Sequence, residues 1–297
     1  MKQTVFTGAA CAIVTPFDGN RKVDYKALKK QIDFQIENGT DAIVVCGTTG
    51  ESATLDSRER HQVIKTAVKQ VNGKVPVIAG TGGNNTQDVI KKSQSAESLG
   101  VDALLIVTPY YNKCSQEGLV EHYSRISDSV TKPIIVYNVP SRTGVNIKPE
   151  TYKRLSQIEN VVATKEANGD LSALMKTLML CGDELDIYCG NDDQIPPMMA
   201  QGSCGAISVV SNILPEKTRA LTHACLKHRM GEAQQLQLEL MPLIRALFVQ
   251  VSPIPVKAAL SMMDVVHDEL RLPLTPMEDS YRSQLKQALI DARLLSS

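Results

Sequence analysis

The chain has 297 residues, 43% hydrophobic and 22% charged, with 32 basic and 32 acidic side chains. That composition is ordinary for a globular protein, and its zero net charge gives no electrostatic reason to expect nucleic acid or an anionic membrane as partner. No apolar run approaches the roughly 18 residues of a spanning helix, and the opening Met1-Lys2-Gln3-Thr4-Val5-Phe6 lacks the apolar core of a signal peptide. A cytosolic location is therefore expected. The seven cysteines are scattered and form no CxxC pair, and the five histidines form no HExxH cluster. Neither a disulfide framework nor a metal site is expected.

The first apolar run, Ala10–Val14, reads as a strand. It leads into Thr15-Pro16-Phe17-Asp18 instead of a glycine-rich phosphate loop. Tyr25–Glu37 reads as a helix, with Leu28, Ile32 and Ile36 at helical spacing. Gly39-Thr40-Asp41-Ala42 returns the chain to a second strand, Ala42–Cys46. Ser57–Val71 reads as a helix opening on a capping serine, followed by strand Val75–Ala79. Helix Thr86–Leu99 and the return Gly100-Val101-Asp102-Ala103 precede strand Ala103–Val107. Helix Gln116–Ile126, strand Ile134–Val136 and helix Pro149–Leu155 come next, then strands Val161–Ala163, Leu185–Cys189 and Ala206–Val210. Beyond about Pro215 the pattern is helical. Pro242, Pro253, Pro255, Pro273 and Pro276 are expected to cut it into several helices, one closing the barrel and the others forming an appendage.

Eight short strands, most rich in Val and Ile, alternating with helices and recurring about every 20 to 35 residues, are the pattern of an α/β protein of the (β/α)₈ barrel type, whose usual size is about 250 residues. A doubly wound open sheet is the runner-up, but it calls for a glycine-rich loop after the first strand. The expected division is a catalytic barrel over residues 1–230 and a C-terminal helical extension over 231–297.

Chemistry on such a barrel gathers where the strands end. Strand two ends in Gly47-Thr48-Thr49-Gly50-Glu51-Ser52, strand three in Gly80-Thr81-Gly82-Gly83-Asn84, and strand four in Thr108-Pro109-Tyr110-Tyr111-Asn112. Strand five ends in Tyr137-Asn138-Val139-Pro140-Ser141-Arg142-Thr143-Gly144, strand six in Lys165-Glu166, strand seven in Gly190-Asn191-Asp192-Asp193. The parts are one amine, phenols, hydroxyls, flexible backbone and one guanidinium. A lysine partly desolvated at a strand mouth favours its free amine, which can form a Schiff base with a keto acid. Tyr137 can shuttle protons, the Gly47–Gly50 segment can hold a small carboxylate, and Arg142 can grip a second one bidentately. Each signal alone has a bland counterpart: a solvated rim lysine, a packing tyrosine, a plain turn at Gly80–Gly83. Asp192-Asp193 has no companion metal ligand.

These segments resemble the signatures of the dihydrodipicolinate synthase (4-hydroxy-tetrahydrodipicolinate synthase) family, within the class I pyruvate lyases. Gly47-Thr48-Thr49-Gly50-Glu51, Tyr137-Asn138-Val139-Pro140-Ser141-Arg142-Thr143-Gly144 and Lys165-Glu166-Ala167 carry the resemblance, with Pro109-Tyr110-Tyr111-Asn112 and Pro253-Ile254-Pro255-Val256-Lys257 in support. It runs from about Gly8 to the C-terminus. It implies that pyruvate forms a Schiff base on Lys165 and that the derived enamine attacks L-aspartate 4-semialdehyde, on the diaminopimelate route to lysine. Tyr137 would pass protons, and Thr48 and Tyr111 would complete the relay, Tyr111 entering from a neighbouring subunit. Thr49 and the Ile207 backbone would hold the pyruvate carboxylate beside Gly190, and Arg142 would hold that of the aldehyde. The resemblance further implies a homotetramer, a dimer of dimers, with no organic cofactor or metal.

A lysine effector site would involve Ser52, Ala53, Asn84, Asp88 and Tyr110. Lysine-inhibited members commonly have His where this chain has Arg60 and Glu where it has Asp88. A cation at Arg60 repels the lysine ammonium, so weak or absent inhibition is expected. Ser252 also stands where many members have Asn. Two other readings remain. Another pyruvate-dependent aldolase, such as N-acetylneuraminate lyase, would share Lys165 and Tyr137 but usually has small or polar residues in place of Arg142. A silent keto-acid-binding barrel would have lost Lys165, Tyr137 or Thr48.

Overall fold

The computed structural model describes residues 2–296, so Met1 and Ser297 lie outside it. The chain runs β1 (Gly8–Ala12), α1 (Tyr25–Glu37), β2 (Ala42–Val45), α2 (Ser57–Val71), β3 (Val77–Gly80), α3 (Thr86–Ser98), β4 (Ala103–Val107) and α4 (Gln116–Ser127). It continues through β5 (Ile134–Asn138), α5 (Pro140–Thr143), α6 (Pro149–Leu155), β6 (Val161–Glu166), α7 (Leu171–Cys181), β7 (Asp186–Cys189), α8 (Ile195–Ala200), β8 (Gly205–Ser208) and α9 (Pro215–Leu226). Three further helices follow: α10 (Met230–Leu247), α11 (Ile254–Met262) and α12 (Asp279–Asp291).

The eight strands form a closed parallel barrel in chain order, with β8 returning to β1. Closure rules out the open doubly wound sheet. The seam is close enough to need glycine on the β8 side: Gly8 pairs with Gly205, and a Cβ on Gly205 would overlap the Gly8 carbonyl oxygen, whereas a Cβ on Gly8 would instead meet the Asp41 carboxylate. Small and branched residues fill the interior, among them Ala10, Ala42, Val44, Ile78, Leu105, Ile135, Ala163 and Ile207. Phe6 stacks on the Tyr188 ring with centroids 4.2 Å apart, and the Tyr188 hydroxyl donates to the Phe6 carbonyl. The segment preceding β1 is thereby fixed to the barrel.

The elements depart from the apolar pattern where polar groups take over the backbone's hydrogen bonds. β5 and β6 run past their apolar cores to include Tyr137, Asn138, Thr164, Lys165 and Glu166, because the ladder continues through Tyr137↔Lys165 and Asn138↔Glu166. β8 stops at Ser208 although Val209 and Val210 are apolar. Their N–H groups are taken by the buried Asp192 carboxylate, at 3.0 and 2.8 Å. β1 ends at Ala12, and the Val14 N–H donates to Asn212 instead of extending a strand. The cap of α2 is Asp56, not Ser57: its carboxylate accepts from the N–H groups of Arg58 and Glu59, and Glu59 reaches back to the Asp56 N–H.

Pro242 does not cut the C-terminal region but lies inside α10. It faces solvent, so the hydrogen bond it forgoes leaves an acceptor on the wet side of the helix. Pro253 and Pro255 instead open α11, at positions where a proline's missing N–H costs least. The last helices share an apolar core with β7, β8, α8 and α9, running from Ile187 and Val210 through Leu240 and Val256 to Leu285 and Leu289.

Candidate active site

Lys165 lies inside the barrel and is only 6% exposed. The register sets it beside Tyr137 on β5 and Tyr188 on β7. Its Nζ sits 4.5 Å from the centroid of the Tyr137 ring. An amine held against a phenol in an apolar-walled barrel is a nucleophile with a proton carrier at hand. Gly190 forms the adjoining wall. A Cβ there would come within 2.9 Å of the Ala167 Cβ and 3.1 Å of the Lys165 Cε. Gly190→Ala is therefore expected to displace the amine and lower kcat by about 10²-fold with an unchanged circular dichroism spectrum; a wild-type kcat would show that the lysine does not need this space.

Glu166 alternates to the outer face of β6 and anchors the strand. Its buried carboxylate accepts from Asn138 Nδ2 at 3.0 and 3.1 Å, from the Tyr152 hydroxyl at 2.7 Å and from the Asn168 N–H at 2.8 Å. Burial pushes this carboxyl above the usual range, against the pull of those hydrogen bonds. Asn138 also donates to Asn146 and accepts from the Ile147 N–H. The residues immediately after Tyr137 and Lys165 are thus tied to each other and to α6, which fixes the spacing of phenol and amine.

The loop after β2 presents Thr48 to solvent and buries Thr49. Its far end is held twice. Gly50 accepts from the Thr15 hydroxyl at 2.7 Å. Glu51, in the left-handed backbone region at φ 51°, carries its carboxylate to Lys257 on α11 at 2.5 Å. Neither side chain of this pair is more than 1% exposed. Lys257 also donates to the Glu269 carbonyl at 2.7 Å and lies 4.0 Å from the Phe17 ring centroid, while the Arg271 N–H donates to the second Glu51 oxygen. Burial pushes the Lys257 ammonium down and Glu51 opposes that shift. Glu51 and Lys257 lie in two separate motif segments, and nothing in either segment marks their contact. The one available signal was a lysine embedded in the apolar helical run Ile254–Leu260.

Arg142 stands on the short helix α5 and donates to the Ser252 carbonyl at 3.1 Å. Residue 252 therefore positions Arg142 through its backbone, a contact that a Ser or an Asn supplies equally. A cavity of about 550 Å³ opens here, bordered by Thr48, Val107, Tyr110, Val139, Arg142 and Ser252. Ser52, Ala53 and Arg60 also line it. Asn84 braces its rim by donating to the Tyr110 carbonyl, and Asp88 lies exposed in the first turn of α3. Ile207 is buried on β8 opposite Ala10. Tyr111 is not gathered with Lys165: it has φ 70° and is 92% exposed. Asp192 is occupied with the backbone after β8, and no cluster of three metal-ligating side chains occurs among the described residues.

The model of the dihydrodipicolinate synthetase family matches residues 5–292. A 4-hydroxy-tetrahydrodipicolinate synthase of Caldicellulosiruptor saccharolyticus is 50% identical over 287 residues, 97% of each chain. Among solved structures, dihydrodipicolinate synthase from Thermotoga maritima superposes with a TM-score of 0.96 at 41% identity, covering 98% of this chain and all of that one. The chloride-inhibited enzyme from Acinetobacter baumannii, solved in complex with pyruvate, gives the same score, identity and coverage. An eight-stranded barrel with an amine against a phenol, matched over nearly its whole length, belongs to the dihydrodipicolinate synthetase family.

Proposed function

We propose that this chain is a lyase that condenses pyruvate with L-aspartate 4-semialdehyde, a reading supported by its match to 4-hydroxy-tetrahydrodipicolinate synthases. The observation that carries the mechanism is the buried Lys165 amine against the Tyr137 ring. The amine adds to the pyruvate C2 carbonyl, and loss of water leaves an imine. Loss of a C3 proton gives the enamine, whose C3 bonds to the aldehyde carbon while the aldehyde oxygen gains a proton. The amine of the second substrate then adds at C2 and expels Lys165, closing the ring and restoring the enzyme. Tyr137 carries the protons, linked through Thr48 to the Tyr111 that enters from a neighbouring subunit.

Thr49 and the Ile207 backbone hold the pyruvate carboxylate beside Gly190; the A. baumannii enzyme having been solved in complex with pyruvate supports pyruvate as the ligand. Arg142 at the cavity mouth takes the second carboxylate, which disfavours a sugar-acid lyase needing room for a polyol. Tyr111 supports assembly: an aromatic ring 92% exposed on a left-handed backbone is oriented away from its own chain. In a homotetramer built as a dimer of dimers it would complete a neighbour's relay. Residues 1–230 carry the chemistry, and residues 231–297 buttress the Thr48 loop through Lys257. Among the described residues no helix is long and apolar enough to cross a membrane; the biosynthetic role of this reading, and not that absence, is what places the enzyme in the cytoplasm.

The test is turnover of both substrates, coupled to dihydrodipicolinate reductase and read as NADPH loss. Activity supports the acceptor. Silence with a pyruvate adduct still forming on Lys165 moves the acceptor to another aldehyde. In the same assay lysine is expected to inhibit weakly or not at all, because Arg60 and the shorter Asp88 stand at the effector site; inhibition at low micromolar lysine would contradict this.

A further inference from the structure

Arg271 lies in the segment between α11 and α12, and every N–H of its guanidinium has an acceptor. Nε and one hydrogen on Nη2 go to the Arg21 carbonyl, at 3.0 and 2.7 Å. The other hydrogen on Nη2 and one on Nη1 close a fork on the Glu59 carboxylate, both at 2.6 Å. The last hydrogen on Nη1 goes to the Thr54 carbonyl at 2.9 Å. The guanidinium also lies 4.4 Å from the Phe17 ring centroid. A planar fork with all of its donors engaged and an aromatic ring beside it has one orientation.

Its acceptors belong to the two loops that present the Thr48–Thr49 segment. Thr54 closes the loop after β2, and its N–H and hydroxyl both donate to the Glu51 carbonyl, at 3.0 and 3.1 Å. The Arg271 main-chain N–H takes the Glu51 carboxylate at 3.1 Å, so one residue grips both ends of that turn. Glu59 bonds back to the Asp56 N–H, so the fork also fixes the start of α2. Arg21 and Phe17 lie on the loop after β1, the same loop whose Thr15 hydroxyl holds the Gly50 carbonyl. Arg21 sits at φ 59°, a left-handed conformation that persists in such a residue only when its surroundings impose it. Lys257 approaches the same Phe17 ring but reaches the loop after β2 through Glu51. Arg271 adds Thr54, α2 and the loop after β1.

We propose that Arg271 is a positioning residue for the pyruvate site: it locks the loops after β1 and β2 together, so that Thr48 and Thr49 are in place before substrate arrives. The proposal rests on the reading that Thr49 holds the pyruvate carboxylate of a Schiff base formed on Lys165. A lysine cannot take over this role. Its ammonium is a point charge with three donors and no fork, so it keeps a partner for Glu59 but cannot hold Glu59, Thr54 and Arg21 in one plane.

The test is the pyruvate concentration that gives half-maximal borohydride labelling of Lys165 in the full-length protein, read beside KM and kcat. In Arg271→Met both that concentration and the KM for pyruvate should rise about tenfold with kcat within about threefold of the parent, the mark of lost uniform binding. Arg271→Lys should recover part of the melting temperature but not the KM. Glu59→Gln should shift KM in the same direction, and it keeps the test open should Arg271→Met fold poorly. Arg282→Gln breaks the Arg282–Asp268 pair of the same C-terminal region and should lower the melting temperature with KM unchanged. A KM within about twofold of the parent in Arg271→Met or, where that variant does not fold, in Glu59→Gln would overturn the positioning role, as would an equal rise in Arg282→Gln. No labelling of Lys165 in the parent would instead overturn the Schiff-base reading, and this proposal with it.

Discussion

Lys165→Ala is expected to lower kcat by more than about 10⁴-fold while leaving the circular dichroism spectrum and melting temperature near those of the parent. Removing the nucleophile of a covalent route leaves only binding and orientation, which is why such losses are large. The fold should tolerate the change because the Lys165 head group rests on a ring face and not in a buried ion pair. Lys165→Arg separates charge from nucleophilicity: it keeps a cation at the site but has no amine that forms an imine, so it too should be inactive. Turnover within tenfold of the parent in either variant would remove Lys165 from the mechanism.

Lys257→Met is expected to cost about 3–5 kcal/mol of stability, since it leaves the Glu51 carboxylate buried without its partner. The double variant Glu51→Gln/Lys257→Met should regain much of that loss, because no uncompensated charge then remains. Denaturant unfolding of the two single variants and the double checks both values. The pair also ties the loop bearing Thr48 and Thr49 to α11, so Lys257→Met should raise the KM for pyruvate as well. A loss below about 1 kcal/mol, the range of an exposed pair, would mean that the loop is held by other contacts.

The alternation of strands and helices was legible because burial on both faces makes parallel strands short apolar runs, and the helices between them keep one apolar stripe. Three helices, Tyr25–Glu37, Ser57–Val71 and Pro149–Leu155, have the bounds their spacing predicts. Strand ends were less legible, since a residue such as Asp192 decides them from a distance by taking the N–H groups of Val209 and Val210. Lys165 and Tyr137 stood out as polar groups closing apolar runs, and the register brings them together. Residues that hold the site in place were hidden. Glu51 meets Lys257 across 206 positions of chain, and Glu166 meets Tyr152 through an outer-face network, so neither contact leaves a local pattern. Arg60 read as a departure from the effector pattern, but its burial without a carboxylate is visible only in three dimensions.

The central claim is that pyruvate forms an imine with Lys165. The most direct test is to incubate the protein with pyruvate, reduce with borohydride, digest, and map the peptides by mass spectrometry. The account predicts one carboxyethyl group per chain on the peptide containing Lys165, none without pyruvate, and none in Lys165→Ala. A trapped adduct on another lysine, or no adduct from an enzyme that turns over, would contradict it.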